Sequence, residues 1–250
     1  MSVFSVRGLH VRYGPTLVVN DLDLDVDAGQ IVGLIGPNGA GKTTTVDALT
    51  GFVPASGRII LDGRDISGLP AHRRARLGLG RTWQSLELFD DLTVRDNLRI
   101  AADHDTLLGA VRRRRRTAAG SGDPAAGALE VFGLADLAER FPHELSQGQR
   151  KLVTAARALA GAPRIVCMDE PAAGLDTDES RALGERLRAL AATGLGILLI
   201  DHDMGLVLEV CDQVVVIDFG VTIASGPPAA IRTDPAVIEA YLGNAARAEP

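Results

Sequence analysis

Two short segments of this chain carry the residue types of phosphate chemistry and of acid–base chemistry. Residues 36–44 read GPNGAGKTT and fit the pattern G-x-x-x-x-G-K-[ST], with Gly36, Gly41, Lys42 and Thr43 at the defining places. Glycine lets a backbone turn tightly, so the loop formed by Gly36, Pro37, Asn38, Gly39, Ala40, Gly41, Lys42, Thr43 and Thr44 can aim its N–H groups inward at anionic oxygens. A helix starting near Lys42 adds the positive end of its dipole to the same place. In such a loop Lys42 bridges the β- and γ-phosphates of a nucleotide, and the Thr43 hydroxyl ligates Mg²⁺. The second segment is VCMDE at 166–170, an apolar run ending in two acids. A strand of this kind delivers its acids to the carboxyl edge of a sheet, where α/β proteins bind ligands. Asp169 is then placed to hold Mg²⁺, and Glu170 to act as general base toward a water molecule. Two solvated acids at a strand end would look the same in isolation; Lys42 upstream favours the catalytic reading.

These segments need a scaffold, and the chain supplies its pattern. Residues 21–27, DLDLDVD, alternate strictly, which sets Leu22, Leu24 and Val26 on one face of an antiparallel strand. Residues 30–35 are a continuous apolar run, as expected of a strand buried on both faces. This run feeds the phosphate loop, and a helix over 43–50 ends at Gly51. Strands are expected over 57–61 and 79–83 with a basic helix, 72–77, between them, then a helix over 93–101 capped by Thr93. Residues 103–127 combine five arginines, 112–116, with AAGSGDPAAG, a composition of linker type. The arginine run reads first as a solvated, self-repelling stretch; a contact to anionic lipid or to a membrane partner is the sharper alternative. A long helix follows over 147–160. Strand, helix and strand then repeat at 164–168, 178–192 and 196–200, with a short helix from Asp203 and a strand over 213–217. Such βα repeats build a parallel sheet with helices on its faces. A hairpin around Gly220 and a helix over 235–242 close the chain.

Composition narrows the class. The 250 residues suffice for one large α/β domain, and 46% hydrophobic with 23% charged residues is ordinary for a globular chain. A net charge of −6 argues against a general nucleic-acid binder. No apolar run approaches the roughly 18–20 residues that cross a bilayer. The opening MSVFSVRGLH has neither the basic nor the apolar region of a signal peptide, which points to the cytosol. Cys167 and Cys211 sit in or beside apolar strands and read as buried reduced thiols.

A third segment, LSQGQ at 145–149, resembles the signature of ABC ATPases, usually LSGGQ. Ser146, Gln147, Gly148 and Gln149 start a helix, where hydroxyl, N–H groups and dipole favour an anion. The resemblance implies that this segment meets the γ-phosphate held by an opposing subunit, hence a head-to-tail dimer with ATP between its faces. Gln147 stands where the family usually has glycine. The resemblance carries over further residues. Tyr13 in VRYG matches the aromatic that stacks on adenine, although alone such a tyrosine is more often a core or surface aromatic. Gln84 in RTWQ matches the glutamine that meets Mg²⁺ and the attacking water while reporting to the membrane partner. Asp176 in AGLD matches the loop coupling the two sites, and His202 in LLIDHD the histidine at the γ-phosphate.

The implied fold is a phosphate-loop ATPase core with a mainly parallel sheet, an N-terminal antiparallel β subdomain and a smaller helical lobe. Within one domain over 1–250, the core is expected at 4–85 and 162–225, the lobe at 86–161 and a helical tail at 226–250. The stretches RTWQSLELFDDLTVRDNL, DEPAAGLD, IDHDMGLVLEVCD and DPAVIEAYLG are similar to ATPase subunits of branched-chain amino-acid importers. Urea and amide importers share that subgroup, and LPAHRRARLGLG also resembles lipopolysaccharide-export ATPases. The expected cofactors are ATP and Mg²⁺. The expected partners are a second ATPase subunit, identical or paralogous, separate transmembrane permeases and an external solute-binding protein, with no nucleic acid. Such a subunit sits at the cytoplasmic face of the membrane. A soluble ABC machine acting on ribosomes or DNA is the rival: those with two cassettes in one chain do not match a single phosphate loop, and no long coiled coil fits between Thr44 and Leu145.

Overall fold

The computed structural model describes residues 2–83, 88–102 and 124–245. Strands β1 (Ser2–Tyr13), β2 (Thr16–Asp27), β4 (Ser56–Leu61) and β5 (Arg64–Asp65) form an antiparallel sheet in the order β2-β1-β4-β5. The second sheet has six strands, β10-β9-β3-β8-β7-β6. Here β6 (Leu79–Arg81), β7 (Ile165–Asp169), β8 (Gly196–Ile200), β3 (Ile31–Ile35) and β9 (Gln213–Asp218) run parallel, and β10 (Val221–Gly226) closes one edge antiparallel to β9. This is the mixed α/β architecture the sequence implies.

Alternation along the central strands divides the core in two. Ile31, Ile35, Val166, Met168, Ile197, Leu199, Val214 and Val216 face one side, where helices cover them. Val32, Leu34, Ile165, Cys167, Leu198, Ile200, Val215 and Ile217 face the other, where the antiparallel sheet and helix α1 (Lys42–Thr50) pack. Period-two side chains on strands buried on both faces explain why these runs read as continuously apolar. Both cysteines are free and buried.

Strand β2 carries the alternation of residues 21–27: Leu22, Leu24 and Val26 are buried while the intervening aspartates are exposed. Helix α2 (Ala71–Arg76) is the basic helix, and α3 (Val94–Ala102) begins after Thr93, whose hydroxyl accepts from Asp96 N–H at 3.2 Å. The linker reading fails at its C-terminal end. Residues Pro124–Val131 form helix α4, with Ala125 and Leu129 inside the helical-side core. Proline is tolerated at a first helical position, and packing rather than composition stabilises so short a helix. The arginine run, 112–116, lies outside the described residues.

Helix α5 (Gln147–Ala160) and α6 (Thr177–Ala192) each begin with a reciprocal capping box, Ser146 with Gln149 and Asp176 with Glu179. Helix α7 (Met204–Val210) is capped by Asp203, and α8 (Pro228–Ile231) and α9 (Pro235–Ala245) finish the described chain. Short strand β5 and helix α8 carry too few residues to leave a periodic signal.

One buried cation ties α1 to its surroundings. Arg74, 5% exposed, donates through Nη1 to Ala48 O at 2.8 Å and Leu49 O at 2.7 Å. Its Nε reaches Leu69 O at 2.8 Å and Nη2 reaches Ser67 O at 2.7 Å. The C-terminal carbonyls of α1 are thereby satisfied by a charge of the sign the helix end favours. We expect Arg74→Ala to destabilise the fold by roughly 2–4 kcal/mol, because it strands buried carbonyls as well as removing charge-assisted bonds. Urea unfolding checks this. Arg74→Lys should recover little, since an ammonium lacks the fork that reaches four carbonyls.

Candidate active site

The phosphate loop leaves β3 between two sheets, and glycine is required by what surrounds it. A Cβ at Gly36 would stand 2.0 Å from Ile217 O, and one at Gly41, whose φ is 103°, would stand 3.0 Å from Val18 O. Hairpin glycine Gly220 locks the other side: its N–H donates to Ala40 O at 2.9 Å, and its carbonyl accepts from Asn20 N–H at 2.8 Å. Helix α1 starts at Gly41 with no side-chain cap and no acid in its first turn. Its first N–H groups are therefore unclaimed by the protein, as an anion site requires.

Lys42 Nζ donates to Gly36 O at 2.7 Å and Pro37 O at 3.0 Å, arched over the loop it belongs to. Burial lowers its pKa, while the charges of Glu170 and Asp169 oppose that shift. The three groups therefore share one electrostatic environment, assembled at the carboxyl edge of the sheet, where β3 and β7 are separated by β8 alone.

Asp169 ends β7 with its side chain 1% exposed. Its N–H donates to Thr82 Oγ1 at 3.0 Å, but among the described residues neither carboxylate oxygen accepts a hydrogen bond. Burial pushes its carboxyl up to about 6, with the Arg81 guanidinium acting the other way. A buried carboxylate with two open oxygens, in the field of Lys42 at the head of α1, is a hard oxygen donor that fits Mg²⁺. Among the described residues no cluster of three or more His, Cys, Asp or Glu could hold a metal alone.

Glu170 follows with φ of 50°, an uncommon conformation for a residue with a side chain, held by its N–H donating to Ile200 O at 2.7 Å. His202 is 60% exposed, and its Nδ1 lies 3.9 Å from Glu170 Oε1 and 3.6 Å from Asp201 Oδ1. Asp201 is buried and anchors the turn by accepting from Ala172 N–H at 3.1 Å and Asp203 N–H at 3.0 Å. The acids, the lysine and the histidine thus form one constellation: Glu170 lies beside His202, and the charges of Asp169 and Glu170 act on Lys42.

The remaining predicted residues occupy other surfaces. Tyr13 is half exposed at the tip of the β1–β2 hairpin, the hairpin whose Val18 carbonyl lies against Gly41. Ser146 and Asp176 are exposed and cap α5 and α6; these two starts pack together, since a Cβ at Gly148 would lie 3.2 Å from Glu179 Oε1. Gln147 and Gln149 lie in the first turn of α5, with Gln149 Oε1 accepting from Ser146 N–H at 2.9 Å. Gln84 lies outside the described residues. Sequence reasoning missed Arg81, Asp201 and Lys151, whose pKa is lowered by burial against the fields of Asp201 and Glu170. Asp201 had the one legible signal, as the neighbour of His202.

The Asp169 shift has a measurable sign. A carboxyl whose pKa is raised on folding binds more protons folded than unfolded between the two values, so stability falls as pH rises through about 6. Asp169→Asn removes that ionisation. We expect it to exceed the parent by roughly 1–3 kcal/mol near pH 7.5, with the gap closing as pH drops toward about 4. Urea unfolding across that range tests it; a gap that persists in acid would refute the buried-carboxylate account.

Comparison with known proteins places this geometry. Residues 19–173 match the family model described as ABC transporter, and residues 221–247 match that of the branched-chain amino acid ATP-binding cassette transporter. The chain is 43% identical to the high-affinity branched-chain amino acid transport ATP-binding protein BraF of Pseudomonas aeruginosa, over 97% of this chain and 98% of that one. It is 38% identical to the lipopolysaccharide export system ATP-binding protein LptB of Escherichia coli over the same shares. Among solved structures, the ADP conformation of MJ1267, an ATP-binding cassette of an ABC transporter, superposes with a TM-score of 0.83 at 28% identity, covering 97% of this chain and 99% of that one. A phosphate loop, an acid-ended strand and a capped signature helix on this fold, matched along nearly their whole length, identify the chain as a member of the ABC transporter ATP-binding family.

Proposed function

We propose that this ABC ATPase is the motor subunit of a membrane importer for branched-chain amino acids. The observation that carries the solute class is the match of residues 221–247 to the branched-chain family model, on top of relatives near 40% identity. Lipopolysaccharide export is the second reading, supported by the similarity to LptB.

The mechanism follows from the constellation. ATP lays its β- and γ-phosphates along the loop N–H groups, and Lys42 leaves the Gly36 and Pro37 carbonyls to reach them, exchanging neutral acceptors for charged ones. Thr43 and Asp169, with Gln84, are the residues that would hold Mg²⁺, which when bound neutralises charge on the β- and γ-oxygens. Glu170 orients a water and takes its proton as the water oxygen attacks the γ-phosphorus. The bond to the β-phosphate oxygen breaks, giving ADP and phosphate. His202, beside Glu170, donates to the γ-phosphate oxygens. Tyr13 stacks on the adenine.

The site is completed by a second subunit placed head to tail, whose Ser146, Gln147, Gly148 and Gln149 meet the γ-phosphate from the other side, with Asp176 relaying between sites. In this reading the permease subunits are separate chains; no described helix is long and apolar enough to cross a membrane. A cavity of about 610 Å³, lined by Phe52, Leu79, Trp83, Ala101, Arg157 and Pro163 among others, opens beside the strand leading to Gln84 and is the place for a cytoplasmic segment of the permease. The subunit then sits peripherally at the cytoplasmic face, with an external solute-binding protein acting through the permease.

Two variants separate binding from turnover. Lys42→Ala should weaken ATP binding, whereas Glu170→Gln should keep binding and lose turnover by about 10²-fold or more, read by equilibrium binding and phosphate release. Normal turnover in Glu170→Gln would remove the base assignment. Tagged Glu170→Gln, captured from membranes of its native host in detergent with Mg·ATP, should bring two polytopic permeases and a second ATPase subunit. Recovery with lipopolysaccharide-export components would favour the second reading, and recovery only with soluble ribosomal or DNA-bound proteins would overturn both.

A further inference from the structure

Arg81, the last residue of β6, stands between the groove and the catalytic acids; it opens the RTWQ segment, whose assigned residue is Gln84. Its side chain is 8% exposed. On one edge Nη1 donates to Asp47 Oδ1 at 2.6 Å and to Thr50 Oγ1 at 3.1 Å. The guanidinium lies over the Trp83 ring, 4.2 Å from its centroid, and 5.7 Å from that of Phe52. The two rings meet edge-on at 4.7 Å, forming one aromatic wall. The remaining edge is loose. Nη2 stops 3.8 Å from Asp169 Oδ2, about 1 Å beyond a charge-assisted hydrogen bond, and Nε has no partner.

This is an unusual balance of forces. A guanidinium beside a buried carboxylate with two open oxygens would ordinarily close on it, since bidentate pairing is the strongest contact available to either. Here the closer acid and the aromatic wall hold the guanidinium in place. We infer that Asp47 and the Trp83 ring restrain Arg81 just out of bonding range of Asp169, so that a cation offsets the buried charge while both carboxylate oxygens remain open to Mg²⁺. Arg81 is a positioning residue, acting through Asp169. Because Trp83 and Phe52 also line the groove, whatever fills the groove bears on this restraint. The inference rests on the ATPase assignment of the site and not on the identity of the groove's occupant.

The test is a double-variant cycle read by metal binding rather than by turnover. Mn²⁺ would be titrated into protein holding a non-hydrolysable ATP analogue, with the free ion followed by electron paramagnetic resonance. Asp47→Asn frees Arg81 to close on Asp169, and the Mn²⁺ concentration at half-saturation should rise about five- to tenfold. Asp47→Asn with Arg81→Gln removes the competing cation and should return it to within about twofold of the parent. Trp83 is the only tryptophan in the chain, so its emission should change in Asp47→Asn before any metal is added, as the cation leaves its face. Should Asp47→Asn fail to fold by urea unfolding, Trp83→Leu releases the other restraint and should move the half-saturation the same way. Unchanged half-saturation in the single variant, or a double variant as impaired as the single one, would overturn the restraint and leave Arg81 a structural ion pair.

Discussion

The fold depends on two places where backbone meets backbone with no room for a side chain. Gly36 leaves the central strand against the carbonyl of Ile217, and Gly220 turns the β9–β10 hairpin against the carbonyl of Val18, each so close that a Cβ would fall 2.0 Å from an oxygen. Gly220 then bonds both the loop at Ala40 and strand β2 at Asn20. The phosphate loop is therefore clamped between the two sheets before any ligand arrives. Every later element of the site is placed relative to that clamp. Side chains larger than hydrogen at either glycine would separate the sheets, a packed interior having no slack to absorb the shift.

A fixed cradle makes a buried, unbonded acid tolerable. Asp169 sits in a position that opposes its ionisation, and among the described residues none hydrogen-bonds its oxygens. Such an arrangement destabilises the protein and persists where the function uses it. Glu170 holds a positive φ next to it, so two successive residues at the end of β7 are held against their local preferences. The surrounding strands are buried on both faces and can resist both distortions. The exposed part of the constellation, His202, carries no such strain.

What could be read from the sequence divides along physical lines. The strands buried on both faces, the alternating strand at 21–27 and the helix over 147–160 were visible because period and capping residues act over a few neighbours; α5 spans the expected residues, with Ser146 as its cap. The phosphate loop and the acids of β7 were visible because their spacing is dictated by the chemistry. Helix α4 was not: Pro124 and the alanines and glycine after it look like linker, and only the burial of Ala125 and Leu129 against the helical side makes them helical. Arg81 and Arg74 were equally hidden. An arginine within a strand or a basic helix reads as surface, and it is the carbonyls or acids brought from distant segments that make it interior. Asp47, on the outer turn of α1, gave no hint that it faces a cation 34 residues away.

The capping box at Ser146 fixes more than the start of a helix. The hydroxyl oxygen already accepts from Gln149 N–H at 3.2 Å, while the Ser146 N–H is taken by the Gln149 side chain. With one lone pair engaged inward, the hydroxyl keeps its hydrogen and a second lone pair for whatever approaches from solvent. An uncapped serine could swing that oxygen between rotamers. This one is held by its own helix, so its oxygen is fixed beside the positive end of the helix dipole, where an anionic acceptor is favoured over a cation.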